Sequence, residues 1–154
     1  MPIYFQELQS AFDPATRFSG DLSLSRRSED LDDISEIFGC RPWPEVEFSK
    51  LKQRRDTYML LTPKAQVFYL PAMAMALEAD TDMTLDVLYD YFMSIVTPYS
   101  GPELRLAERW ALVDTLSTEQ KEVLAKLVVR INERLPEAFP DKADLVRQAY
   151  WSRV

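Results

Sequence analysis

The chain has 154 residues, of which 47% are hydrophobic and 28% charged, a composition typical of a folded domain and not of a disordered one. It contains one cysteine and no histidine, so an internal disulfide is excluded and the commonest general base and metal ligand are missing. The net charge of −7 disfavours nucleic-acid binding and favours a protein partner with a basic surface.

The first predicted elements are two helices separated by an irregular, serine-containing stretch. The first covers Ile3–Phe12, and the second begins after Ser28, which we assign as its N-cap. Acidic residues fill the first turns of this second helix, where the helix dipole favours them, and Gly39 suits the position after its end. The residues expected to pack inward recur at helical spacing: Leu31, Ile34, Ile37 and Phe38.

A rigid corner and a basic helix follow. Residues 41–44 read RPWP, and each proline biases its predecessor away from the helical region. Cys40, just before this corner, is either a thiol activated by the neighbouring arginine or a spectator at a helix end. Phe48–Leu60 is predicted to be helical. Its basic residues either bind an anionic partner or neutralise acidic segments of the same chain: Lys50, Lys52, Arg54 and Arg55.

The most informative segment is Thr62–Leu77, a helix without a polar face. Thr62 is a plausible N-cap and Pro63 suits the first helical position, because its missing N–H has no intrahelical partner there. A helix that is apolar almost all the way round must be buried on most sides. Pro71 lies inside it and predicts a kink. We therefore expect a kinked central helix that the rest of the chain surrounds.

An acidic ridge is predicted on the next helix, Thr84–Val96. The segment from Ala72 to Leu104 carries six acids and no base. Stepping 100° per residue separates an apolar side from a polar side. The apolar side comprises Leu85, Leu88, Phe92, Ile95 and Val96. The acidic ridge comprises Asp82, Asp86 and Asp90, with Met83 and Met93 among the carboxylates and Tyr89 and Tyr91 at the boundary.

The acidic ridge has several interpretations. Its carboxylates and methionines suit a basic protein surface, with the tyrosines as anchors. It is otherwise a solvated face, neutralised in part by Arg54 and Arg55 of the same chain. Asp86 and Asp90 could share a metal ion, but no further ligand completes a coordination shell, so we predict no metal and no cofactor.

Three helices are predicted after the acidic ridge. Leu104–Leu116 is followed by a capping box in which Ser117 bonds forward and Gln120 reaches back. The helix behind this box continues to Leu135 with an apolar stripe at 3.6-residue spacing, and a final helix runs from Asp141 towards Trp151.

Residues 61–74, LTPKAQVFYLPAMA, resemble the core motif of an uncharacterised family of small bacterial proteins, roughly L-T-P-x-A-x-x-(F/Y)-Y-L-P-A. The RPWP corner and the segment Leu116–Gln120 are similar to flanking features of that family, and the resemblance extends from about Leu31 to Leu135. The family brings no activity and no catalytic residues. By analogy, small acidic proteins of this kind look like immunity partners that bacteria encode beside toxin domains.

We therefore predict an all-α fold, one domain over residues 1–154, with six or seven helices around the kinked, buried helix Thr62–Leu77. The N-terminus lacks the pattern of a secretory signal, and no apolar run is long enough to span a bilayer, so we expect a cytoplasmic protein without membrane contact. The predicted function is a non-catalytic immunity-type inhibitor that occludes a toxin surface. The alternatives are a carboxylate-dependent hydrolase and a self-associating structural protein.

Overall fold

The computed structural model describes residues 3–79, 92, 95–96 and 104–134. The fold is all-α, as predicted, and seven α-helices and two 3₁₀ helices have bounds within the described residues. The α-helices are α1 (Ile3–Ala11), α2 (Ser28–Ile37), α3 (Phe48–Gln53), α4 (Pro63–Phe68), α5 (Leu70–Ala79), α6 (Leu104–Asp114) and α7 (Thr118–Arg134); the 3₁₀ helices are Trp43–Glu45 and Arg55–Leu60.

The predicted central helix is present as α4 and α5, which meet at a kink. The Thr62 hydroxyl accepts a hydrogen bond from the backbone N–H of Ala65 at 3.3 Å, so Thr62 is the N-cap as predicted. The helical path is interrupted at Tyr69, where ψ is 9°, two residues before Pro71. Pro71 has no N–H to offer the carbonyl of Val67, which explains the interruption. Most residues on both sides of the kink are buried, which confirms the predicted central position.

Two tyrosine hydroxyls satisfy carbonyls near helix ends in the core. The Tyr58 hydroxyl donates to the carbonyl of Gln66 at 2.6 Å, and the Gln66 side-chain amide donates to the carbonyl of Tyr58 at 3.2 Å. The Tyr69 hydroxyl donates to the carbonyl of Arg41 at 2.8 Å. The three donating side chains, Tyr58, Gln66 and Tyr69, have 0% exposure. The carbonyls of Gln66 and Tyr58 therefore gain buried partners, and the carbonyl of Arg41 gains one at the edge of the core.

The capping box at the start of α7 is confirmed and also joins α7 to α1. The Gln120 N–H donates to the Ser117 hydroxyl at 3.1 Å, and the Ser117 N–H donates to the Gln120 side-chain oxygen at 2.9 Å. The Gln120 side-chain amide also donates to the carbonyl of Ala11 at 3.0 Å. The described stripe of α7 is buried as expected: Val123, Leu124, Leu127 and Val128.

Two local predictions are wrong. Phe48–Leu60 is not one helix, because Arg54 leaves the helical region with φ −132° and ψ 54°, and a 3₁₀ helix follows it. This break turns Tyr58 into the core, where it meets Gln66. The N-cap of α2 is Arg27 instead of Ser28, and it makes no side-chain capping bond. Ser25, and not Ser28, provides the hydroxyl that bonds to the backbone near this helix end: it accepts a hydrogen bond from the N–H of Arg27 at 3.2 Å.

Replacing Gly39 by alanine is expected to destabilise the fold by about 1–3 kcal/mol. Gly39 ends α2 as predicted, with φ +51° and its N–H bonded to the carbonyl of Ile34 at 3.1 Å. A Cβ atom here would lie 2.6 Å from the carbonyl oxygen of Ser35. Urea unfolding measures the loss. The matched control is Ser28→Ala on the same helix, expected to change stability by less than about 0.5 kcal/mol. Equal stability of the two variants would contradict the strained conformation.

Candidate functional site

The residues predicted to bind a partner lie outside the described part of the chain. This applies to every one of them: Asp82, Asp86, Asp90, Met83, Met93, Tyr89 and Tyr91. Three residues predicted for the apolar side of the same helix are described. Phe92, Ile95 and Val96 are helical and have 0% exposure, which confirms that they point inward.

The residues of the LTPKAQVFYLPA motif pack in the core or form hydrogen bonds near helix ends. Thr62 caps α4 and also donates to the carbonyl of Asp21 at 2.7 Å, Gln66 pairs with Tyr58, and Tyr69 bonds across to Arg41. Lys64 is the one residue between Pro63 and Val67 that is exposed. The strongest motif of the sequence therefore specifies the fold and offers few groups for binding a partner.

A candidate surface that sequence reasoning missed lies on α2. Leu31, predicted to pack inward, is 41% exposed, and Leu24 is 38% exposed. They are the two large hydrophobic side chains that are exposed within the described ranges. The inward positions of α2 are filled by Ile34 and Ile37 instead, and Leu31 lies one turn closer to the N-terminus. The only available signal was the position of Leu31 among carboxylates on both sides in sequence.

A groove runs beside Leu31, between α2 and the segment 21–24, with a volume of about 320 Å³. Backbone hydrogen bonds hold that segment against the residues just before α4. The N–H of Leu24 donates to the carbonyl of Leu60 at 2.8 Å, and the N–H of Thr62 donates to the carbonyl of Leu22 at 2.9 Å. The groove walls are therefore fixed by the fold. Its lining residues are Asp21, Leu22, Ser23, Leu31, Ile34, Ser35, Gly39 and Cys40. We call this groove, together with the exposed Leu24 and the carboxylates of α2, the α2 surface.

The α2 surface is acidic. Residues 26–36 contain five acids and two bases. Among the described residues, the carboxylates of Asp21 and Asp32 form no ion pair, whereas Glu29 meets Arg27 at 3.8 Å with both side chains exposed. Exposed pairs of this kind contribute little to stability and are screened by salt. The surface thus combines apolar side chains with carboxylates that remain available to an approaching cation.

Arg54 from the basic cluster neutralises part of α2. Its guanidinium lies 2.6 Å from the carboxylate of Glu36 and 2.9 Å from that of Asp33. The hydrogen bond and positive charge of Arg54 lower the pKa of the Glu36 carboxyl. Elsewhere in the cluster, Lys50 pairs with Glu47 at 3.3 Å. The described pairing of Arg54 is therefore with α2, the acidic segment that precedes it in the chain.

Cys40 lines the groove and has an unusual backbone. Its φ is +58°, in the left-handed region that residues other than glycine rarely adopt, and its side chain is partly buried. Over the described ranges, no group of three or more cysteine, aspartate or glutamate side chains is arranged to hold a metal ion. None of the described helices is long and apolar enough to cross a membrane.

Comparisons with protein-family models, curated proteins and solved structures find no match to this chain. The resemblance of residues 61–74 to a bacterial family therefore stays a prediction. The function has to be argued from the residues of the chain, and the α2 surface is the described feature that bears on it most directly.

Proposed function

We propose that the protein is a non-catalytic, cytoplasmic binding protein, an immunity-type inhibitor that neutralises a bacterial toxin by covering its surface. The observation that carries the proposal is the exposure of Leu31 beside a formed groove and unpaired carboxylates. The chain lacks histidine, so it also lacks the side chain that most often performs acid–base catalysis.

The α2 surface supports such a partner for two physical reasons. Burial of a fully exposed leucine side chain is favourable by about 1.5–3 kcal/mol, and Leu31, which is 41% exposed, can contribute part of this when a partner covers it. Carboxylates around it attract a basic surface over a Debye length, which raises the association rate and orients the encounter. Together they favour a partner that presents an apolar side chain flanked by lysine or arginine.

The acidic ridge extends the same proposal. We infer that Asp82, Asp86 and Asp90 attract the basic surface, while Met83, Met93, Tyr89 and Tyr91 adapt to it and anchor it. Inhibition then follows from steric occlusion of the toxin, with electrostatic steering in the approach. Catalytic chemistry in the inhibitor is not required for this mechanism.

The test is a binding measurement with the product of the neighbouring gene at two salt concentrations. Charge reversal at Asp82, Asp86 and Asp90, and separately at Asp21 and Asp32, is expected to slow association, more strongly at low salt. Leu31→Ser is expected to speed dissociation instead, because it removes buried apolar contact. The matched control is Glu122→Lys, which reverses an exposed charge on α7.

Failure to form a complex, or an affinity that none of these changes alters, would refute the proposal. If only the changes on α2 matter, the ridge is a solvated face. A stable oligomer without a partner in light scattering would favour the structural alternative. The hydrolase alternative gains no support from the described cavities, since the four of them contain at most one carboxylate each among their lining residues.

A further inference from the structure

A second groove lies on another part of the protein, between α4, the end of α6 and the segment 12–19. It consists of two depressions of about 330 Å³ and about 220 Å³. They adjoin each other, because both are lined by Thr16, Val67, Phe68 and Leu116. The larger depression falls within the roughly 300–1,000 Å³ that small-ligand sites occupy. We call this feature the α4–α6 groove, and it shares no lining residue with the groove of the α2 surface.

The floor of the α4–α6 groove is apolar. Val67 and Phe68 come from α4, Leu112 from α6, and Leu116 from the turn that follows it. Phe68, Leu112 and Leu116 are partly buried, so part of their apolar surface remains open to a ligand. An aliphatic chain lying on this floor would contact these residues and lose contact with water on that side, which is favourable.

Positive charge is concentrated at one end of the groove. Arg17 and Lys64 both line the larger depression, and no carboxylate is among its described lining residues. Lys64 donates to the carbonyl of Ser19 at 3.2 Å, which uses one of the three N–H donors of its ammonium group. A ligand with a single anionic head would therefore place that head at this end.

The one carboxylate of the smaller depression is already engaged. Asp13 accepts hydrogen bonds from the Ala15 N–H at 2.9 Å and from the Thr16 hydroxyl at 2.6 Å. These bonds are made within the segment 12–19 and fold its first turn. An anionic group of a ligand would therefore bind at the other end of the groove, beside Arg17 and Lys64.

The rim of the groove is formed before any ligand arrives. The N–H of Phe18 donates to the carbonyl of Cys40 at 3.2 Å, and the Phe18 ring meets the ring of Phe68 edge-on at 5.3 Å between centroids. Together with the bond from Lys64, these contacts hold the segment 12–19 in place. Binding to a formed site avoids most of the entropy cost of ordering a loop.

We propose that the α4–α6 groove binds a small amphiphilic carboxylate, a medium-chain fatty acid or a molecule of the same chemistry. The aliphatic chain lies on Val67, Phe68, Leu112 and Leu116, and the carboxylate is held by Arg17 and Lys64. The proposal goes beyond inhibition of a protein partner and does not depend on it, because it concerns a different part of the molecule.

The experiment is a titration of the full chain with decanoate, followed by methyl NMR. Saturable shifts are expected at Val67, Leu112 and Leu116, with Leu24 and Leu31 unchanged as an internal control. Decanol, which has the same chain without the charge, is expected to bind more weakly. The double variant Arg17→Met, Lys64→Met is expected to weaken decanoate binding about fivefold and to leave decanol binding unaltered. Arg26→Met, which removes an exposed charge elsewhere, is the matched control.

Three results would overturn the proposal. One is the absence of saturable shifts in the groove. Another is an equal loss of decanoate and decanol binding in the double variant, which would show that the positive charges of Arg17 and Lys64 do not recognise the carboxylate. The third is a parallel shift of Leu24 and Leu31, which would reveal general surfactant adsorption. A far-ultraviolet circular dichroism spectrum identical to wild type verifies that the double variant is folded.

Discussion

Raising the pH above 10 is expected to destabilise this protein steeply, by about 1.4 kcal/mol per pH unit for Tyr58 and by less for Tyr69, whose hydroxyl is only partly screened from solvent. Burial raises the pKa of both hydroxyls above the ordinary value of 10.0. Both hydroxyls are neutral when protonated; Tyr58 donates to the carbonyl of Gln66 in the core, and Tyr69 donates to the carbonyl of Arg41 at the edge of the core. In the unfolded chain they lose their protons at the ordinary pKa. Their contribution is therefore complete below pH 10 and is lost progressively as the pH rises towards the folded-state pKa.

Urea unfolding from about pH 8 to about pH 11, on either side of the ordinary tyrosine pKa, measures this effect. Tyr58→Phe is expected to cost about 1–3 kcal/mol at the lower pH, because it leaves a buried carbonyl without its donor, and Tyr69→Phe is expected to cost less, because the Arg41 carbonyl is only partly buried. Tyr58→Phe should also reduce the alkaline slope by about 1.4 kcal/mol per pH unit, and Tyr69→Phe by less, since each removes one shifted group. The remaining tyrosines are common to all variants. An unchanged slope in both variants would contradict the assigned pKa shifts.

Replacing Trp43 by alanine is expected to lower the free energy of unfolding by about 3–5 kcal/mol, a large share of the stability of a domain this size. Trp43 is 2% exposed and lies in the wall of an apolar cleft between the first 3₁₀ helix and α5. Its indole N–H donates to the carbonyl of Phe12 at 3.1 Å, and its ring packs edge-on against Phe5. The substitution removes packing and a buried hydrogen bond together.

Two controls separate the parts of the Trp43 effect. Trp43→Phe keeps most of the apolar volume and loses the donor, so its cost should be clearly smaller than that of alanine. Leu31→Ala removes an exposed side chain and should change stability by less than about 0.5 kcal/mol. Thermal or urea unfolding of the three variants gives the order. If Leu31→Ala costs as much as Trp43→Ala, then Leu31 is packed and the α2 surface loses its main observation.

Local chemistry explains which elements could be predicted. A hydroxyl at Thr62, a proline at Pro63 and the Ser117–Gln120 pair act on backbone groups within four residues, so their outcome does not depend on the rest of the fold. The apolar stripe of α7 was equally predictable from the sequence, because an amphipathic helix of this length has one face to bury. The kink near Pro71 follows from a missing N–H.

The candidate site was much less predictable. The periodicity of α2 predicts that Leu31 packs inward with Ile34 and Ile37. In the structure Ile34 and Ile37 are buried, but no described segment covers Leu31, which stays exposed. The break at Arg54 carries no glycine or proline signal, and it places Tyr58 against Gln66. Both outcomes depend on which segments pack together, and a single helix pattern does not contain that information.

The amino-acid order alone therefore established the helical class, the caps at Thr62, Gly39 and Ser117, the kinked apolar centre and the absence of imidazole chemistry. Each of these follows from composition or from side chains that act on nearby backbone. The folded arrangement was needed to reveal Leu31 beside a groove, Arg54 bound to α2, and Arg17 and Lys64 at one end of the α4–α6 groove. These features join residues far apart in the chain. Whether a side chain is covered or left open is set by the segments that pack around it, and only the folded chain brings those segments together.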